Sequence, residues 1–133
     1  MNMNAKQLLL LGASVLTLCL ICVYGRTFAK QKPDPLVRLA ELEIDPAQLE
    51  NYKAALKEEI ETSIRVEPGV LTLYAVAEKE NPTHIRIFET YASVAAYKAH
   101  LETPHFKKYK VGTQAMVKSL KLVEVTPILL GAK

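Results

Sequence analysis

A chain of 133 residues, half of them hydrophobic, with 17 basic and 14 acidic side chains, has room for one domain with a packed core. Its formal charge of +3 is small and its lysines are mixed with acids, which excludes the basic stripe that nucleic-acid binding requires. Both cysteines, Cys19 and Cys22, fall in one apolar stretch near the N-terminus, so the rest of the chain has no disulfide and no thiolate chemistry.

In chain order, Met1 to Lys6 is a short start carrying one positive charge, Leu8 to Val23 is almost wholly apolar, and Thr27-Phe28-Ala29 supplies the small residues that a signal peptidase reads. Residues 1–29 therefore read as an export signal cleaved after Ala29, and the protein as exported and periplasmic, with no stable membrane insertion after cleavage. The sixteen residues from Leu8 to Val23 fall short of the roughly 20 that a spanning helix needs. An uncleaved inner-membrane anchor over residues 8–23 is the alternative. Neither cysteine follows the small residue expected before a lipoprotein acceptor. Without Lys6 and Arg26, 15 basic residues face 14 acidic ones. The cluster of Lys107, Lys108 and Lys110 then reads as a solvated helix face.

A linker over residues 30–35 leads into a domain spanning 36–127, followed by a tail over 128–133 expected to pack on a neighbour. Val37 to Ile44 alternates Ala40, Leu42 and Ile44 with Glu41 and Glu43, the period of a strand. Asp45-Pro46 is a cap and first-turn pair that opens a helix. Its stripe is Leu49, Tyr52, Leu56, Ile60 and Ile64, and it ends near Glu67, before the turn pair Pro68-Gly69. Val70 to Ala77, apolar except for Thr72, reads as a strand covered on both faces, the second by a subunit partner. His84 to Tyr91 is the next strand. Ser93 or Ala92 opens a short helix to Glu102. Thr103-Pro104 launches another whose Phe106, Tyr109, Thr113, Met116 and Leu120 share a face. Lys121 to Thr126 is the last strand. The order β-α-β-β-α-β is that of an α+β, ferredoxin-like split unit.

Chemistry-bearing residues concentrate between Ile85 and Tyr109, which hold two of three histidines and five of nine aromatic residues. His100 follows Tyr97 by three positions and lies beside the stripe of Val94, Tyr97 and Leu101, where an imidazole can accept a proton near neutral pH. The plainer reading is a satisfied histidine at the core edge. His105 stands at the start of the last helix, where the dipole disfavours imidazolium, as a donor to a carbonyl or as a simple surface histidine. Tyr74, Phe88, Tyr91, Phe106 and Tyr109 are expected to meet between sheet and helices and to wall a pocket for a flat ring. The sequence has no metal-ligand spacing, no phosphate loop and no nucleophile elbow, so neither metal nor nucleotide is expected.

The strand ending in Glu89-Thr90-Tyr91, then Ala99-His100-Leu101, then Thr103-Pro104-His105-Phe106, resembles the antibiotic biosynthesis monooxygenase domain family in order and spacing from about Leu36 to about Pro127. The resemblance implies a homodimer in which two sheets pair into an α/β barrel. It also implies a monooxygenase that oxidises a quinol or phenolic small molecule with dioxygen and without flavin, metal or other cofactor. In that reading His100 is the base, Tyr91 and Tyr97 contact or hydrogen-bond the ring, and Tyr74, Phe88, His105, Phe106 and Tyr109 bind substrate. Haem-degrading relatives carry an Asn, a Trp and a His where this chain has Ala40, His100 and Lys110, which disfavours haem. Polyketide-oxidising relatives hold Asn and Trp where Ile87 and Tyr91 stand. A non-catalytic dimeric binder and an isomerase of the same fold are the alternatives.

Overall fold

The computed structural model describes residues 34–131; the expected signal segment, most of the linker and the last two residues lie outside that range. The strands are β1 (Leu36–Ile44), β2 (Val70–Ala77), β3 (His84–Tyr91) and β4 (Val117–Val125). The helices are α1 (Leu49–Val66), α2 (Val94–Leu101) and α3 (Pro104–Thr113). All strand pairs are antiparallel in the order β2-β3-β1-β4, the ferredoxin-like α+β arrangement expected from the sequence, as an open four-stranded sheet.

Strand alternation places Ala40, Leu42 and Ile44 of β1 with Ile85 and Ile87 of β3 on one face, against Tyr52 and Leu56 of α1. A second cluster, Leu36, Val70, Leu73 and Tyr91, packs beneath Ala96 and Tyr97 of α2. The other face carries Tyr74 and Phe88, which pair directly across β2 and β3, and Leu39, which pairs with Phe88 and Val123. Leu71, Tyr74 and Val76 of β2 are exposed. Among the described residues, no helix is long and apolar enough to cross a membrane.

Two expectations shift. Asp45 caps as foreseen, its carboxylate accepting from the Ala47 amide at 2.9 Å, but Pro46–Gln48 is a 3-10 turn and the α-helix starts at Leu49. The buried positions of α1 are Tyr52, Leu56, Glu59 and Ser63, and Ile64 is 47% exposed. Steps of four residues advance about 40° beyond a full turn each, so a stripe read as 52, 56, 60, 64 walks off the buried face. The last helix also stops at Thr113, short of Met116 and Leu120. A 3-10 turn at Gln114–Met116 follows, and Leu120 belongs to β4. Nine-residue β1 offers a free edge, and Val117 to Val125 pairs along it from Ile44 to Val37, a tertiary ladder that overrides the helical pattern.

The caps of the two short helices hold. Ser93 accepts from the Ala96 amide at 3.1 Å, and Thr103 accepts from the Phe106 amide at 3.3 Å while donating to the His100 carbonyl at 2.8 Å. Gly69 sits where β2 passes under α2: a Cβ there would meet the Ala96 Cβ at 2.6 Å. Across the helices, the hydroxyls of fully buried Tyr52 and of Tyr109 are 2.6 Å apart, tying α1 to α3.

Gly69→Ala must push α2 off the sheet and is expected to destabilise the fold by about 1–3 kcal/mol in urea unfolding, as overpacked sites do. Burial raises the Tyr52 hydroxyl from 10.0 to about 12, the Tyr109 bond opposing it, and burial raises Tyr109 further. A raised folded-state value adds stability that is full below pH 10 and lost as pH climbs toward about 12. Alkaline titration followed at the tyrosinate absorbance should show these two phenols ionising with unfolding, and Tyr52→Phe should remove its share of that transition.

Candidate functional site

Between the helix-covered face of the sheet and the three helices lies a cavity of about 420 Å³. Its floor is apolar: Ala40 and Leu42 of β1, Leu73 of β2, Ile87 of β3, Leu120 and Leu122 of β4. Its walls carry Glu59 from α1, Glu89 and Tyr91 from β3, Tyr97 and His100 from α2, and Phe106 and Tyr109 from α3. Leu120 and Leu122 are 53% and 46% exposed, so the cavity opens along β4, past Lys110, Gln114 and Lys118 at the rim.

His100 is 3% exposed and sits at the centre of this wall. Its Nδ1 is 3.0 Å from Glu67 Oε1, and its Nε2 is 3.7 Å from Glu59 Oε1. Its ring packs 4.6 Å from Phe106 and 5.4 Å from Tyr91, centroid to centroid. Glu67 Oε1 also lies 2.6 Å from His105 Nε2, so one carboxylate oxygen holds both imidazoles. Burial pushes the Glu67 carboxyl up, but hydrogen bonds from His100, His105 and Ser63 outweigh it and hold the group below the usual carboxylate value. An ionised Glu67 can only accept, which puts hydrogen on Nδ1 of His100 and leaves Nε2 as the basic nitrogen.

The two cavity carboxyls behave in the opposite sense. Burial raises Glu59, against a 2.7 Å hydrogen bond from Ser63 Oγ and the nearby His100. Burial also raises Glu89, whose Oε2 accepts from Tyr91 at 3.1 Å. Arg38, paired opposite Glu89 across β1 and β3, sets its guanidinium 4.5 Å over the Tyr97 ring, and its Nε is buried without a partner.

The residues singled out from the sequence thus divide. His100, Tyr91, Tyr97, Phe106 and Tyr109 line one cavity. His105 stands behind His100, bonded to Glu67 outside the lining. Tyr74 and Phe88 do not join them: the pleat turns both to the opposite face, where Tyr74 is 66% exposed. Glu59, Glu67, Glu89 and Arg38 were missed. Glu59 was legible, seven residues after Tyr52 on the buried face. The Glu67-His100-His105 cluster, whose ligand atoms lie within 4.8 Å of one another, joins one helix end to two other helices and has no local spacing to betray it.

The sequence profile of the antibiotic biosynthesis monooxygenase family matches residues 35–111. A solved structure from Bacteroides thetaiotaomicron VPI-5482, assigned as an antibiotic biosynthesis monooxygenase, is 60% identical, covering 75% of this chain and 95% of its own at a TM-score of 0.73. One from Lactobacillus acidophilus NCFM, assigned as a monooxygenase, is 33% identical at a TM-score of 0.68. It is covered over 46% of its length and covers 71% of this chain, which thus spans about half of it. A Nitrosomonas europaea structure shares the fold at 23% identity and a TM-score of 0.67, over 71% of this chain and 90% of its own. No curated protein matches significantly.

A carboxyl held low in the folded state adds stability above its unfolded value of 4.5 that is lost as pH falls through the folded value. Glu59 and Glu89, held high, shift in the opposite direction. Glu67→Gln should therefore weaken the protein at neutral pH and flatten the acid limb of a urea-midpoint profile below pH 5, with no such flattening for Glu58→Gln on the surface.

Proposed function

This chain belongs to the antibiotic biosynthesis monooxygenase family, and we propose that it is a cofactor-independent monooxygenase oxidising a quinol or phenol held in the cavity between sheet and helices. The observation that carries this reading is the buried imidazole of His100, oriented by Glu67, in the wall of a ring-sized apolar cavity. Family membership supports monooxygenase chemistry at large; the substrate class and the role of His100 rest on the shape and polarity of the site.

His100 Nε2 takes the proton of a phenolic hydroxyl, and the imidazolium formed is stabilised by Glu67 on Nδ1 and by Glu59 beyond Nε2. The phenolate passes an electron to dioxygen, and the two radicals combine at a ring carbon bearing hydrogen. Loss of water from the resulting hydroperoxide leaves a quinone carbonyl, one oxygen atom in the product and the other in water. Phe106 and the apolar floor exclude bulk water, and Tyr91 and Tyr97 bound the ring.

The reading includes a homodimer paired through the uncovered sheet face. Leu71, Tyr74 and Val76 present exposed apolar surface there, and Phe88 shares the face, so Tyr74 and Phe88 serve assembly in place of substrate contact. It also includes export, on the strength of the apolar segment from Leu8 to Val23.

Oxygen uptake by the purified protein over a panel of quinols and phenols should be stoichiometric with quinone formed. His100→Ala should lower kcat by about 10²–10⁴-fold with ligand binding kept. Absence of uptake with every member of the panel, together with tight binding of one of them, would instead make the protein a binder. Conversion without oxygen consumption would make it an isomerase.

A further inference from the structure

We propose that Glu67, His100 and His105 form a binding site for a divalent cation of the zinc class, and that the cation, when bound, withdraws His100 from proton abstraction. The second half rests on the proposed function; the first stands on geometry alone.

Ligand atoms held about 2 Å from a zinc ion stand roughly 3–3.5 Å apart. Glu67 Oε1 is 3.0 Å from His100 Nδ1 and 2.6 Å from His105 Nε2, and all three atoms fall within 4.8 Å. Two imidazole nitrogens and one carboxylate oxygen are the donor set that zinc and its neighbours prefer over magnesium or calcium. The three residues come from the end of α1, from α2 and from the first turn of α3, each held by the caps and close packing already described. The His105 side chain is 19% exposed and that of Glu67 12%, which gives an ion a route from solvent.

The surroundings provide what a ligating imidazole needs behind it. Once Nδ1 of His100 binds a cation, its hydrogen resides on Nε2, which faces the Glu59 carboxyl at 3.7 Å; that carboxyl is steadied by Ser63. Two N–H···O bonds to Glu67 are exchanged for two metal–nitrogen bonds, and each ring keeps one hydrogen on its other nitrogen. Glu67 offsets one charge of a divalent ion directly, and the Glu59 carboxyl faces the Nε2 hydrogen behind it. Nε2, the nitrogen free to accept a substrate proton in the metal-free protein, is then occupied.

Zinc chloride titrated calorimetrically into tag-free, chelator-stripped full-length protein should bind at one ion per chain, with cobalt giving the visible spectrum of a nitrogen–oxygen site. His105→Ala and Glu67→Gln, each checked for a retained fold by circular dichroism, should weaken zinc binding at least tenfold, whereas His84→Ala should not. No stoichiometric binding, or full binding in folded His105→Ala, would overturn the site. Because binding is read without turnover, it is tested even if no quinol is oxidised. With an active substrate, stoichiometric zinc should abolish oxygen uptake in the wild type. Zinc that binds at this site but leaves uptake unchanged would overturn His100 as the base and leave the site standing.

Discussion

One oxygen atom, Oε1 of Glu67, joins three helical elements of this protein. It lies just past α1, accepts from an imidazole on α2 and from another on α3, and so sets the azimuth of both rings. Two donors on one oxygen favour the ionised carboxylate, and together with Ser63 they hold its proton affinity down. The tautomer of His100, the orientation of its second nitrogen and the wall it forms all follow from that atom. The backbone contributes through Gly69, two residues on, whose lack of a side chain lets α2 come close enough for the bond to form.

The sheet divides labour between its faces. On the side covered by helices the residues of β1 and β3 close a core at one end and open into a cavity at the other, because β4 contributes leucines that no helix fully covers. On the uncovered side β2, β3 and β1 present Tyr74, Phe88 and Leu39 in one cross-strand row. The polar groups needed for proton chemistry all stand on the first side. Their low-polarity setting raises Glu59, Glu89 and the buried phenols, while hydrogen bonds hold Glu67 low, so neighbouring carboxyls are shifted in opposite directions by burial and by pairing.

Much of this was readable from residue order. Alternation at Ala40, Leu42 and Ile44, the capping residues Asp45, Ser93 and Thr103, and the turn at Pro68-Gly69 are local signals, and local signals located the elements. The pairing of β4 with β1 was not local: Val117 to Leu120 continues a helical pattern by spacing and becomes strand only because β1 needs a partner. For the site, aromatic grouping by type gathered Tyr74 and Phe88 with residues that face the other way, since one-residue parity along a strand decides the face and grouping by type ignores it. Glu67 looked like a helix-ending residue before a turn. Its two partners lie 33 and 38 positions away, beyond any spacing rule.

The paired phenols of Tyr52 and Tyr109 carry a further consequence. Either hydroxyl could donate to the other, yet only Tyr109 reaches the cavity, and Tyr52 has no other hydrogen-bond partner among the described residues. Stranding the Tyr52 hydrogen in the core would cost about 1–3 kcal/mol, which favours Tyr52 as donor while both phenols are neutral and turns the Tyr109 hydrogen toward the cavity. A guest molecule entering past β4 would then meet the Tyr109 O–H in one wall and the His100 imidazole in another. Under the proposed function, a molecule bearing a lone pair at one end and an acidic hydrogen at the other would satisfy both, giving the chamber a polarity and its occupant a direction.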